Sequence, residues 1–338
     1  MTILMLFLTR KLKKEKFLFY SGIYSGIKTI INILISGLIV RFLNIAFDLH
    51  SIVDTLVFGF FYVALSTFDS WLIFRKTKEI RKLSMSDKEY ISQCVKNYGI
   101  TIASLLVIST VRKTITNFED FVFITGCLLC SWAYQFAMPY LIKSTNKITE
   151  YENEKMVRKL KEACSRKYKI LVYEGSKQKS ANAIITGTFL NRHIFISSYF
   201  LENATEDEVF AILLHECGHC EFFDLEKRAV FADICIVLFF IAGTVMDYYK
   251  IGILPGFIFL GVCFVAGMLF YKWTQHLQEY RADRYSVHIT KNKDSLVSAL
   301  EKLYVLNDME KKKSAFWNII SSHPSYKKRI NRILNANL

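Results

Sequence analysis

The stretch His215-Glu216-Cys217-Gly218-His219 decides how this chain is read. It follows Thr205-Glu206-Asp207-Glu208, a capping box that opens a helix over Glu206–Glu221 with Thr205 as the N-cap. That cap also accounts for the sequon Asn203-Ala204-Thr205. Residues four apart on a helix share one face, roughly 6 Å apart along the axis. Two imidazoles at that spacing, His215 and His219, can chelate one Zn²⁺ while Glu216 faces the open position as a general base. A chance H-E-x-x-H on a charged helix is the competing reading. Cys217 and Cys220 also form C-x-x-C, which on the same helix reads as two small residues rather than a redox or metal pair.

The composition is that of a polytopic membrane protein with water-exposed parts. Of 338 residues 52% are apolar and 15% aromatic, with 3 prolines. The net charge of +14 follows from Lys and Arg gathered in cytoplasmic loops. No base-reading motif accompanies it, so nucleic acid is excluded as a partner. Eight cysteines show no disulfide spacing. The apolar start Met1–Thr9 precedes the charges Arg10, Lys11, Lys13, Lys14 and Lys16, the reverse of a signal peptide.

Apolar runs lie at 26–47, 53–74, 99–111, 121–142, 230–246 and 251–271, and we expect about six spans with both termini cytoplasmic. The third run is short for a span. The loops 75–98 and 143–228 are both basic and belong on one side. An even number of crossings must therefore separate them, and the third run is counted with the fourth. Lys and Arg outside the segments assigned to the cytoplasm are Lys28, Arg41, Arg112, Lys113 and Lys250. Lys28, Asp54 and Asp233 are expected near span ends, while Arg41 and Asp69 stay open. The expected organisation is a membrane region over 1–142 with about four spans, a polar folded part over 143–228, a two-span hairpin over 229–271, and a second polar part over 272–338. Within 143–228 a helix is expected over Tyr151–Arg166, with strands at Lys169–Tyr173 and His193–Ser197.

A hydrolytic zinc site needs a third protein ligand. His50, His193, His276, Glu279, Asp283, His288 and His323 are the candidates by type, and His50 falls on the far side of the membrane. Glu279 and Asp283 lie four apart on a helix continuing out of the last span. One carboxylate could bind metal while the other accepts the free N–H of a ligand histidine. Spacing alone leaves equally open a solvated acidic pair beside Arg281 and Arg284. The two-span hairpin brings this helix back to the side that carries His215 and His219.

Four pieces together resemble the M48 zinc metallopeptidases, the group of HtpX-like membrane proteases and CAAX prenyl endoproteases. They are Asn182-Ala183-Ile184 with Gly187, His215–His219 with Gly218, Glu279-Tyr280-Arg281-Ala282-Asp283, and His323-Pro324 with Arg329-Ile330. Ile184 replaces the usual aromatic and Ser325 a common proline. The resemblance runs from about residue 150 to the C-terminus. It implies a mainly α, polytopic membrane protein with a cytoplasmic α+β peptidase domain of gluzincin type, binding one Zn²⁺ per chain. It implies His215, His219 and Glu279 as ligands, Glu216 as catalytic acid/base and Asp283 as a partner of a ligand. His323 is implied as a catalytic donor near the oxyanion, and Asn182, Ala183 and Ile184 as an edge strand that pairs with an extended substrate peptide.

The expected function is an integral-membrane zinc endopeptidase cutting membrane-associated polypeptides at the cytoplasmic surface. The partners are a polypeptide substrate and the lipid bilayer. The membrane is the plasma membrane in a bacterium and the ER or nuclear membrane in a eukaryote. The alternatives are a maturation protease for one peptide or a prenylated CAAX-type substrate, and a sensor-transducer, which the short outer loops disfavour. The four N-terminal spans exceed the two usual in HtpX-like proteins.

Overall fold

Long apolar stretches with few breakers favour helices, and the computed structural model is mostly helical with one small sheet. It describes residues 2, 14–47, 51–114, 120–250, 252–309, 321 and 323–336. The chain begins with four long helices, α1 (Lys14–Phe47), α2 (Ser51–Arg81), α3 (Asp87–Thr114) and α4 (Asp120–Thr145). Strand β1 (Ile148–Glu150), helix α5 (Glu154–Ala163) and strands β2 (Lys169–Tyr173), β3 (Ala183–Thr186) and β4 (His193–Ser197) follow. Then come α6 (Ser198–Asn203), α7 (Glu206–Glu221), α8 (Asp224–Tyr248), α9 (Ile253–Thr290), α10 (Lys293–Leu306) and α11 (Tyr326–Leu334).

Three helical stretches, Val53–Arg81, Asp224–Tyr248 and Ile258–Thr290, are long and apolar enough to cross a membrane. Large apolar side chains on the last two point outward, among them Leu238, Phe239, Val262 and Phe264. That is the surface a lipid environment requires. Helix α9 runs unbroken from Ile253 through the apolar run 251–271 to Thr290.

Charged and polar residues of the first helices have partners on neighbouring helices. Lys28 is 3% exposed and donates to Ser70, whose hydroxyl lies 2.8 Å from the Tyr98 hydroxyl. Asn32 donates to Asp69 at 3.1 Å and to Ser66 at 3.3 Å. Lys28 thus points into the helix bundle and not out to its surface. An interior ammonium keeps its charge tolerable through partners on neighbouring helices. Asp233 likewise accepts from Trp132 Nε1 at 2.7 Å, while Asp54 sits in the first turn of α2, as expected of a helix-end residue.

The sheet order is β1-β2-β4-β3, with β2 and β4 parallel and the other two pairings antiparallel. Strand β4 is interior and all five of its residues are buried, which explains its run of apolar side chains without alternation. β3 is one of the two edges, and Ile184 on it is exposed. Gly187, at φ +103, allows the turn that leads toward β4.

Helix α7 occupies the observed range Glu206–Glu221 with both halves of the capping box formed. It is buried almost all round, as a helix at the centre of a core must be. Its neighbours include α5, α9, α10 and β3, around a core with Leu160, Ile194, Ile196, Phe200, Leu213, Leu214 and Leu296. Cys217 and Cys220 are wholly buried free thiols that burial pushes up and keeps neutral. They pack as small apolar residues.

The membrane helices are tied to this core at the end of α2. Arg81 Nη2 donates to Lys179 O at 2.6 Å and Leu306 O at 2.8 Å, and its Nε to Asp308 at 3.0 Å. One guanidinium thereby joins three segments distant in sequence.

Candidate metal centre

His215 and His219 come to one face of α7 by helical spacing, with ring centroids 4.9 Å apart. What completes the centre is the crossing of α7 by α9. It is close because Gly218 lies against Ala282, where an added Cβ would come within 3.0 Å of Ala282 Cα. That approach puts Glu279 between the imidazoles. His215 Nε2 lies 3.6 Å from Glu279 Oε2, and His219 Nε2 lies 3.4 Å from Oε1. The three residues are buried, and one ligand atom from each falls within 4.8 Å of the others.

The outer ring nitrogens are held by carboxylates. His215 Nδ1 lies 3.0 Å from Asp283 Oδ1, and His219 Nδ1 lies 2.9 Å from Asp224 Oδ2. A carboxylate on Nδ1 favours the tautomer with the proton there, leaving Nε2 as a lone-pair donor aimed inward. Asp283 in turn accepts two hydrogen bonds from Arg329, and Asp224 accepts one from Arg281. Burial disfavours the charged form of His215, yet bonds to Asp283 and Glu279 prevail and raise its pKa to about 10. Burial acts against the Glu279 carboxylate too, but the facing histidines hold it well below the ordinary range.

Two imidazoles and a carboxylate are a donor set that fits zinc. Glu279 Oε2 supplies a direct test. It is buried without a well-directed hydrogen bond among the described residues, although His323 Nδ1 approaches to 2.9 Å and Arg329 Nη1 to 3.4 Å. A buried carboxylate oxygen left in this way suits a cation.

Glu216 is buried beside this cluster and accepts the Ile185 N–H at 2.9 Å. The bond ties it to the edge strand. Asn182 precedes that strand and is joined to Ser197 through its backbone, while Ala183 and Ile184 belong to it. His323 is 61% exposed and lies at the open side of the cluster. Two other candidate histidines, His193 and His276, are engaged elsewhere. His193 contacts Lys143 and the Asn191 carbonyl, and His276 the Ser321 carbonyl. His50 lies outside the described residues.

Asp224 was not among the sequence candidates, and Arg281 and Arg329 entered there only as motif positions. An acidic residue five positions after His219 is a local signal for the first. Arg329 reaches Asp283 only through the packing of α11 on α9.

The family model described as Peptidase family M48 matches residues 147–337. Among similar curated proteins, a "Protease HtpX homolog" of Bordetella petrii is 29% identical over 186 residues, covering 48% of this chain and 62% of that protein. A "Protease HtpX homolog" of Bordetella pertussis is 25% identical over 193 residues, covering 50% and 64%. The chain thus spans under two thirds of these relatives' own length. The crystal structure of S. mikatae Ste24p matches with a TM-score of 0.68 at 19% identity, covering 94% of this chain and 85% of that one. At that identity the likeness concerns the fold.

Proposed function

Because the chain belongs to peptidase family M48, we propose that it is an integral-membrane zinc endopeptidase cutting membrane-associated polypeptides at the cytoplasmic surface. The observation that carries this reading is the convergence of His215, His219 and Glu279 beside Glu216 and under the edge strand β3. The three converging residues would hold the metal, Asp283 and Asp224 would orient the imidazoles, and β3 would pair with an extended substrate. When bound, zinc polarises the scissile carbonyl and acidifies the attacking water. Glu216 takes that water's proton and returns it to the leaving amine, with one carboxylate oxygen fixed by Ile185 N–H. His323, exposed at the rim, would donate to the developing oxyanion.

The reading keeps six spans with the catalytic face cytoplasmic, supported by the three apolar helices and the basic loops. The parts 143–228 and 272–338 then form one peptidase domain around the hairpin 229–271. The test is quantitative proteomics of membranes from cells expressing wild type and Glu216→Gln. Substrates should accumulate, and their cut products vanish, only with the variant. Identical membrane proteomes from the two would reject an endopeptidase role.

A further inference from the structure

Where the membrane helices meet the peptidase part, a cavity of about 500 Å³ lies apart from the metal centre. Its walls are the first turns of α3, the junction of α4 with β1, and the segment 174–178 after β2. Lys88, Lys96, Lys147 and Lys177 line it, against Glu89 and Glu174.

Both acidic groups are already engaged. Glu89 accepts from Lys177 Nζ at 2.5 Å and from Ser86 N at 3.0 Å, and Glu174 accepts from Ser176 N at 2.8 Å. Lys88, Lys96 and Lys147 have no acidic partner among the described residues. The walls are fixed before any ligand arrives. Gln93 donates to Asn146 at 3.1 Å, Gln178 donates to Gln93 at 2.9 Å, and Ser84 and Met85 donate to the Lys177 carbonyl. With four lysines against two glutamates the lining is net positive, and together with its neutral donors this concave site favours an anion carrying hydroxyls over a cation. The volume exceeds what a bare phosphate fills.

Depth identifies the source of that anion. Lys96 lies three residues before the apolar run 99–111, and Lys147 five after 121–142. Under the six-span reading proposed above, the cavity mouth sits at the level of the lipid headgroups, where basic pockets bind anionic lipid. We propose that this cavity binds a phosphodiester headgroup of an anionic phospholipid, with Lys88, Lys96 and Lys147 as its cations. The ligand would bridge the membrane helices and the peptidase part and stiffen their junction.

The test uses the full-length protein in a neutral detergent, titrated with short-chain phosphatidylglycerol, short-chain phosphatidylcholine or inorganic phosphate. Calorimetry and thermal unfolding are the readouts. Phosphatidylglycerol should bind saturably and raise the unfolding temperature, phosphatidylcholine should do neither, and inorganic phosphate should compete weakly. The triple variant K88Q/K96Q/K147Q should lose at least tenfold in phosphatidylglycerol affinity. A control triple on α5, K155Q/K159Q/K161Q, should keep it. Wild-type affinity in the first triple, an equal loss in the control, or equal binding of phosphatidylcholine would overturn the proposal. Inorganic phosphate binding as tightly as phosphatidylglycerol would overturn the lipid as its source. Cleavage is not read, so a failed peptidase assignment would leave this result unchanged.

Discussion

The backbone N–H of Ile185 on β3 donates to Glu216 Oε2 on α7 at 2.9 Å. The strand proposed to hold the peptide therefore also holds the proposed base, and peptide and base share one frame. Glu216→Gln should retain zinc by elemental analysis and lose cleavage, since acid–base catalysis contributes roughly 10²–10⁴-fold. Glu216→Asp is a second probe. It keeps the charge but withdraws it from Ile185, and should lose at least about 10²-fold in kcat on the same scale.

Asp283→Asn and Asp224→Asn each weaken the hold on one imidazole tautomer. Zinc affinity in a competition titration should fall about 10–100-fold in each. Asp283→Leu should be worse, because it removes the hydrogen-bond acceptor as well as the charge that faces the buried Arg329, a loss of about 3–5 kcal/mol by denaturant unfolding.

Gly218→Ala sets two effects against each other. Alanine favours the helix by about 1 kcal/mol. Its methyl, however, meets the Ala282 backbone at 3.0 Å, and α9 must move for it to fit. A shift of a few tenths of an ångström displaces Glu279 relative to both histidines. The expected outcome is a folded protein with weakened zinc binding; unchanged affinity would show that the crossing tolerates a side chain.

Removing zinc should expose a pH dependence of stability in the basic range. In the metal-free protein the raised His215 pKa means that the imidazolium stabilises fully below 6.5 and is lost as pH rises through about 10. Chelator-treated protein should lose unfolding temperature over that window. Zinc-loaded protein should not, because metal replaces the proton.

Glu208 gives the opposite sign. It receives bonds from Thr205 N, Ser298 and Lys302, and despite its burial these hold its pKa below 4.5. Its contribution is present above that value and lost as pH falls through the lower folded pKa. Glu208→Gln keeps the reciprocal bond to Thr205 N but loses the charge that faces Lys302; it should cost about 0–1 kcal/mol at neutral pH and flatten the acid limb of the stability profile.

What the sequence makes legible is whatever a single segment decides. The α7 boundaries follow from the capping box, and β2 and β4 from β-branched and aromatic runs. The pairing of His215 with Glu279 was legible only through a family motif, because spacing alone also allowed a solvated acidic pair. Arg329 on Asp283 and Arg281 on Asp224 depend on how helices cross, which no local periodicity encodes. The same holds for Lys28, since hydropathy gives a span's length but not which side of it faces its neighbours.

Under the proposed function, the unbroken course of α9 would make the bilayer a mechanical input to the chemistry. From the middle of its apolar run 251–271 to Glu279 the helix is a rod of roughly 27 Å. Pivoting by about 2° at the membrane centre would carry Glu279 through about 1 Å at the far end of that lever. Bilayer thickness, which sets the tilt of membrane helices, would then tune zinc retention, and equilibrium dialysis of the protein in lipids of graded chain length measures it.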